Sequence, residues 1–141
     1  MSAGIDTSWL IEVAIREHAE HIAARATLSR LSEAGEALVL TPQVLSEFVH
    51  AVTDEKRFQH PLSMSDAIEV AEVWWNADSV LQIFPTLESV RLGFHWMRQY
   101  DLGRKRILDT QLAATFYTHG ITRILTSNAR DYRVFGCFEL D

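Results

Sequence analysis

Three carboxylates and one carboxamide stand at comparable points along this chain: Asp6, Glu47, Asp109 and Asn128. Each sits where a predicted element begins, or within the first turns of a helix. Asp6 follows Gly4-Ile5 and precedes Thr7-Ser8. Glu47 lies one turn into a helix opened by Thr41-Pro42. Asp109 opens the run Asp-Thr-Gln-Leu-Ala-Ala-Thr, and Asn128 follows Arg-Ile-Leu and Thr126-Ser127. In an open α/β sheet, ligands gather beyond the carboxyl ends of the strands. Oxygen ligands collected there suit a hard cation such as Mg²⁺ or Mn²⁺. The chemistry implied is metal-assisted phosphoryl transfer.

Each position also has a simpler role. Asp, Thr and Ser all cap helices by accepting a backbone N–H bond. Glu47 could face solvent, although its neighbours Val44, Leu45, Phe48 and Val49 make an unpaired charge costly there. Asp109 suits the positive end of a helix. Thr126 to Asp131 reads as turn chemistry. The joint placement of the four, more than any one of them, argues for a site. His18 and His21 have the i,i+3 spacing of metal ligands, but no third ligand accompanies them.

The elements that must position these groups follow from hydrophobic spacing. Ile5 lies in a very short first strand. Residues 8–15 read as a helix with Leu10, Ile11, Ala14 and Ile15 on one face. A second helix runs from about Glu17 to Ala34 and stops at Gly35. Residues 37–40 (Ala-Leu-Val-Leu) form a buried strand. Thr41-Pro42 starts a helix with the stripe Leu45, Phe48, Val49 and Val52. Another helix covers 63–77, capped by Ser63. Trp74 and Trp75 are adjacent on it, so one of the two is expected to meet a partner. Residues 80–84 read as a strand. The helix after Pro85-Thr86 places Leu87, Val90, Phe94, Met97 and Tyr100 inward. Residues 101–106 are a loop, 109–119 a small-residue helix, 123–126 a strand and 135–140 a last edge strand. Strands alternating with helices pair mainly in parallel through right-handed crossovers. The expected fold is a single-domain three-layer α/β/α sandwich over residues 1–141, with a mainly parallel sheet of four or five strands.

Bulk properties agree with that reading. The chain has 141 residues, 48% of them hydrophobic and 23% charged, which is ordinary for a globular domain. The single cysteine, Cys137, excludes an intramolecular disulfide and fits a reducing compartment such as the cytoplasm. No run approaches transmembrane length and no signal peptide is expected. A net charge of −6 argues against a general nucleic-acid coat. Metal ions that neutralise the acids would still admit RNA, and a basic stretch (Arg98, Arg104, Lys105, Arg106) precedes Asp109.

The ordered motifs resemble those of the PIN-domain ribonucleases, and more narrowly the VapC-like toxins of bacterial type II toxin–antitoxin pairs. The matching segments are Ile-Asp6-Thr-Ser-Trp-Leu-Ile, Thr41-Pro-Gln-Val-Leu-Ser-Glu47-Phe, Arg106-Ile-Leu-Asp109-Thr-Gln-Leu-Ala-Ala-Thr and Leu125-Thr-Ser-Asn128-Ala-Arg-Asp131-Tyr. They cover nearly the whole chain in the family's order. One departure is Asn128, where the family often has Asp; Asp131 lies a turn later. The resemblance implies RNA cleavage with Mg²⁺ or Mn²⁺ held by Asp6, Glu47 and Asp109. Asn128 would ligate through its amide oxygen or hold a water. It also implies that Arg104 and Arg106 grip flanking phosphates. Thr7, Thr126 and Asp131 complete the substrate-binding candidates. Homodimers and a cognate antitoxin that blocks the site are implied as partners. An RNA-maturation nuclease without antitoxin, or a non-catalytic interaction domain whose acids only cap helices, are the competing readings. A phospho-receiver needs a paired acid, and a haloacid-dehalogenase-like phosphatase needs Asp-x-Asp; Asp6-Thr7-Ser8 meets neither.

Overall fold

Five short strands share one sheet: β1 (Ser2–Ile5), β2 (Ala37–Leu40), β3 (Val80–Gln82), β4 (Arg123–Leu125) and β5 (Glu139–Leu140). The computed structural model describes residues 1–141. Every pairing is parallel, in the order β3-β2-β1-β4-β5. The helices are α1 (Thr7–Ala14), α2 (His21–Glu33), α3 (Pro42–Val52), α4 (Met64–Trp75), α5 (Leu87–Gln99), α6 (Ile107–Thr118) and α7 (Arg130–Arg133). Consecutive residues Leu38, Val39 and Leu40 are all buried, so both faces of the sheet are covered. One set of helices links α1 to α2 and α3, and α3 to α4; the other links α5 to α6 and α6 to α7. This is the three-layer sandwich read from the sequence.

The chain builds outward from β1 through β2 to β3, then returns to the other side of β1 for β4 and β5. The order therefore reverses between β1 and β4. A crevice opens at such a reversal, beyond the carboxyl ends of the strands. Asp6 leaves β1 there, and Thr126 leaves β4.

Two glycines permit close packing around α6. A Cβ on Gly4 of β1 would lie 2.7 Å from the Phe116 ring. A Cβ on Gly93 of α5 would run into the end of the Gln111 side chain. Gln111 instead reaches across to donate to the Val90 carbonyl at 3.2 Å.

Several boundaries differ from expectation. The second helix starts at His21, because Ile15 takes extended backbone and the exposed residues Arg16 and Glu17 have no apolar face to bury. His18 thus precedes α2 and accepts the Glu20 N–H, while the His21 ring meets the Glu12 carbonyl. The two do not form a helical ligand pair. The third strand ends at Gln82 and the last covers only Glu139–Leu140. The sixth helix begins at Ile107, preceded by a 3₁₀ turn at Arg104–Arg106, so Asp109 lies in its first turn. On α5, Leu87 and Phe94 face solvent, and Ser89, Gly93 and Trp96 face inward. The close approach to α6 selects the small residues for the buried face. Trp74 and Trp75 are both half-buried against the core. Trp75 meets Phe84 edge-on at 5.7 Å.

Candidate active site

Asp6 is buried and fixed from several sides. Its backbone N–H extends the β1–β4 ladder by donating to the Leu125 carbonyl at 3.0 Å. One carboxylate oxygen caps α1 by accepting the Thr7 N–H at 2.8 Å. The other accepts the Thr126 hydroxyl at 2.7 Å and the Ser8 hydroxyl at 3.3 Å. Thr126 Oγ1 in turn accepts the Asn128 N–H, and Ser8 Oγ accepts the Ser127 N–H. The start of α1 and the loop after β4 are thereby stitched together around one carboxylate. Capping and site formation are the same set of bonds here.

Thr41 caps α3 by accepting the Val44 N–H, and the helix carries Glu47 half-buried on its flank. Gln43, one turn earlier, donates to Glu47 at 2.7 Å and to the Leu108 carbonyl at 3.0 Å. One amide group therefore orients Glu47 and ties α3 to the start of α6. From α6, Asp109 is half-buried. Arg106 is also half-buried, with one guanidinium nitrogen donating to the Asp131 carbonyl. Arg104 and Lys105 remain exposed.

Electrostatics identify the acids as one group. The Asp109 carboxyl is raised to about 6, first by burial and then by repulsion from Asp6, Asp131 and Glu47, with Arg106 opposing. Burial also raises Glu47, against the Gln43 bond, and Asp6 adds to the rise. Tyr132, buried to 1% exposure, has its hydroxyl pushed far above its ordinary range by burial, then by Asp6 and Asp109. The chain thus brings Asp6, Glu47, Asp109 and Asp131 within one another's field. Asn128 lies at the rim with its side chain exposed.

The donor set consists of hard oxygens, which is the set Mg²⁺ or Mn²⁺ takes. As placed, no three acidic, imidazole or thiol side chains close tightly enough around one point to ligate an ion. Unpartnered buried oxygens nevertheless stand around the acids, whereas the unpartnered Arg106 Nε is a donor that ligates no cation. Five buried side-chain atoms lack a hydrogen-bond partner: Thr7 Oγ1, Glu12 Oε2, Arg106 Nε, Thr110 Oγ1 and the Tyr132 hydroxyl. Thr7 and Thr110 adjoin Asp6 and Asp109 in sequence, and Arg106 and Tyr132 act on Asp109 and feel Asp6 respectively.

Sequence reasoning missed Glu12, Gln43 and Tyr132. Glu12 is a buried carboxylate raised by burial and opposed by His18 and Ser127. A lone acid inside the apolar run Trp-Leu-Ile-Glu-Val was the available signal. For Gln43 it was the i,i+4 spacing to Glu47.

The PIN domain family's sequence profile matches residues 4–135. Ribonuclease VapC43 of Mycobacterium tuberculosis is 36% identical over 107 residues, covering 71% of this chain and 66% of that protein. The VapC ribonuclease Mb2897 of Mycobacterium bovis matches to the same extent. The chain thus spans about two thirds of these relatives' length. Among solved structures, Mycobacterium tuberculosis VapC20, described as a sarcin–ricin loop cleaving toxin, superposes with a TM-score of 0.70 at 17% identity, over 93% of each chain. VapBC-1 of nontypeable Haemophilus influenzae gives 0.71 at 14% identity, over 100% of this chain and 97% of that one. At such identities the superpositions establish the fold. With the profile match and the ordered acids at the β1–β4 reversal, they lead to one assignment: this chain belongs to the PIN-domain family.

Proposed function

We propose that the chain is a divalent-metal-dependent endoribonuclease acting as the toxin of a type II toxin–antitoxin pair. The observation that carries this reading is Asp109, raised to about 6 by burial and three neighbouring acids with one arginine beside it. Such a carboxylate is relieved by a proton or by a cation. Likeness to ribonucleases supports RNA as the substrate class.

Asp6, Glu47 and Asp109 would hold the metal, with Asn128 or Asp131 completing the set. When bound, Mg²⁺ or Mn²⁺ would supply a water of lowered pKa and positive charge against the scissile phosphate. Asp6 brings a fixed carboxylate, because Thr7, Ser8 and Thr126 hold its two oxygens. Thr126 acts through Asp6, to which its hydroxyl is donated. Gln43 orients Glu47. Asp109 has no such partner; burial and charge alone act on it, leaving it free to turn toward an ion. Arg104 is exposed beside the site and available to a phosphate, whereas Arg106 is partly engaged with Asp131.

The antitoxin reading draws on likeness to toxin–antitoxin complexes, including VapBC2 of Rickettsia felis bound to a promoter fragment. The exposed face of α4 carries Met64, Ile68 and Val73 beside Glu69 and Glu72, which suits an amphipathic basic segment. No helix is long and apolar enough to cross a membrane. A homodimer working in the cytoplasm completes the proposal.

Purified protein free of any antitoxin should cut a structured RNA with Mg²⁺ or Mn²⁺ and stop with EDTA. Activity undiminished by chelation would exclude the metal mechanism. Expression alone should arrest growth, and the small protein encoded next to it should relieve the arrest. Harmless expression of verified active enzyme would assign the chain to RNA maturation instead.

A further inference from the structure

A cleft of about 530 Å³ adjoins the acid cluster and shares two of its residues, Thr7 and Glu47. Its other walls are Ser46, His50, Ala51, Arg57 and Leu108. The cleft is braced. Gln43 bonds both to Glu47 on one wall and to the Leu108 carbonyl on the other, which fixes their separation. Leu108 presents an apolar side chain that is 57% exposed. Thr7 Oγ1 is buried beside the cleft without a partner.

All ion pairs in the molecule belong to Arg123, so Arg57 has no acid partner. Arg57 follows the turn in which Lys56 N–H bonds the Asp54 carboxylate, and its own side chain is exposed. His50 is exposed on the last turn of α3. An unpaired guanidinium and an imidazole thus stand on the Glu47 flank of a site whose remaining charges are mostly negative. Arg104 and Lys105 are also exposed, in the turn before α6.

A polyanion laid across four carboxylates needs cations on both sides of them. Guanidinium presents paired donors that match phosphate oxygens. An apolar wall takes the face of a base or ribose. We infer that the Arg57–His50 cleft is a nucleotide subsite for single-stranded RNA. It holds the nucleotide next to the scissile phosphate, with Arg57 on that nucleotide's own phosphate and Leu108 against its base or sugar. This inference rests on the ribonuclease reading and adds the direction in which the strand leaves the acids. Arg57 is a substrate-binding residue here and takes no part in holding metal or moving protons.

The test is cleavage by full-length protein in Mn²⁺, with RNA concentration and salt varied, for wild type, Arg57→Ala, Arg57→Gln and Arg57→Lys. Arg57 is exposed, so all variants should melt like wild type. Removing one phosphate contact should raise half-saturation by roughly 5–20-fold and lower the slope of log affinity against log salt by about 0.7. The rate at saturation and the Mn²⁺ midpoint should stay within about twofold, since uniform binding is what is lost. Arg57→Lys should recover the salt slope, with affinity between wild type and Arg57→Ala. Wild-type protein that cuts RNA while Arg57→Ala and Arg57→Gln keep its half-saturation and salt slope would overturn the subsite alone. A fall in the rate at saturation with unchanged half-saturation would also overturn it, by moving Arg57 into the chemistry. Wild-type protein that neither binds nor cuts RNA would overturn both readings.

Discussion

Arg123 and Asp109 lie at opposite ends of the same sheet and are provisioned in opposite ways. At the start of β4, Arg123 reaches Glu36 at 2.7 Å, just before β2, and also bonds the Asp141 carboxylate. Two acids there share one cation, and the side chains are mostly covered. Beyond the carboxyl ends of the strands, Asp6, Glu47, Asp109 and Asp131 crowd together with Arg106 as the neighbouring cation. The Arg106 guanidinium is partly committed to a backbone carbonyl. The first arrangement is complete as folded. The second carries net negative charge in a half-buried place, a state that costs stability until a cation or proton arrives. The contrast separates carboxylates that hold the fold from carboxylates that await something.

The largest effect should come from Asp109→Asn. It keeps the shape and removes the charge. Cleavage should fall by at least about 100-fold, the upper end of what losing even an outer partner of a metal ligand costs. Without metal at neutral pH, the same variant should be more stable than wild type. The gain should be about 1–2 kcal/mol once solvent screening of a partly exposed group is allowed for. A variant that loses both activity and cooperative melting would place Asp109 among the structural caps and erase the contrast.

Arg123→Ala tests the other end. It strands Glu36 and Asp141 together with nothing between them. Stability should drop by about 1–2 kcal/mol, between the values for exposed and buried pairs. That corresponds to a fall of roughly 3–8 °C in melting temperature. Cleavage measured well below the transition should be unaffected. A loss of activity matching that of Asp109→Asn would show that the two ends are coupled.

The division between these ends was partly legible in the sequence. Asp6, Glu47 and Asp109 could be read because each stands at a set distance from the end of an apolar strand or the start of a helix. That geometry is local. Glu12 and Gln43 left only local signals, a lone acid in an apolar run and an i,i+4 spacing, and Tyr132 left none, because their roles arise only when α1, α3 and α7 pack around the strand ends. Arg106 read as a phosphate grip, yet it turns inward, since Asp131 brings an acceptor to it from a distant segment. Element order was legible for the same reason as the acids. The buried face of α5 was not: Leu87 and Phe94 are the larger apolar residues, but Ser89 and Gly93 face α6 because they let the two helices meet closely. Hydrophobic periodicity registers what can be buried and does not register how near the neighbour must come.

Titration sharpens the comparison further. In the metal-free protein, Asp109 holds its proton up to about 6, against an ordinary 3.8. The folded state therefore binds that proton more tightly than the unfolded chain does. Asp109's contribution to stability is complete below about pH 4 and is lost as pH rises through about 6. Glu47 and Glu12, also raised by burial, act in the same direction. Urea melts in EDTA should show stability from this source declining by about 1–2 kcal/mol across that window, after discounting for screening. Asp109→Asn should flatten the decline, and saturating Mn²⁺ should oppose it. A wild-type profile as flat as the variant's would mean that the acids do not strain one another.

The smallest effect is expected at Asn128, where the family often places an acid. Its side chain is exposed at the rim, and its backbone N–H already serves Thr126. Asn128→Asp adds a carboxylate to four that already repel, but at a place where water screens it. The metal-free melting temperature should fall by roughly 1–2 °C, which is less than 1 kcal/mol. The new charge should draw the second of two divalent ions more strongly than the first, because on the proposed reading Asp6, Glu47 and Asp109 would hold the first. The Mn²⁺ midpoint for cleavage should fall by about two- to fivefold, the fold-change equivalent to such a screened attraction. Both movements are needed for the reading. A lower melting temperature without a lower midpoint would mean that residue 128 feels the acids but lies outside the metal's reach. Asp131, which already acts on Asp109, would then be the residue that completes the site, and Asp131→Asn should reproduce the larger loss.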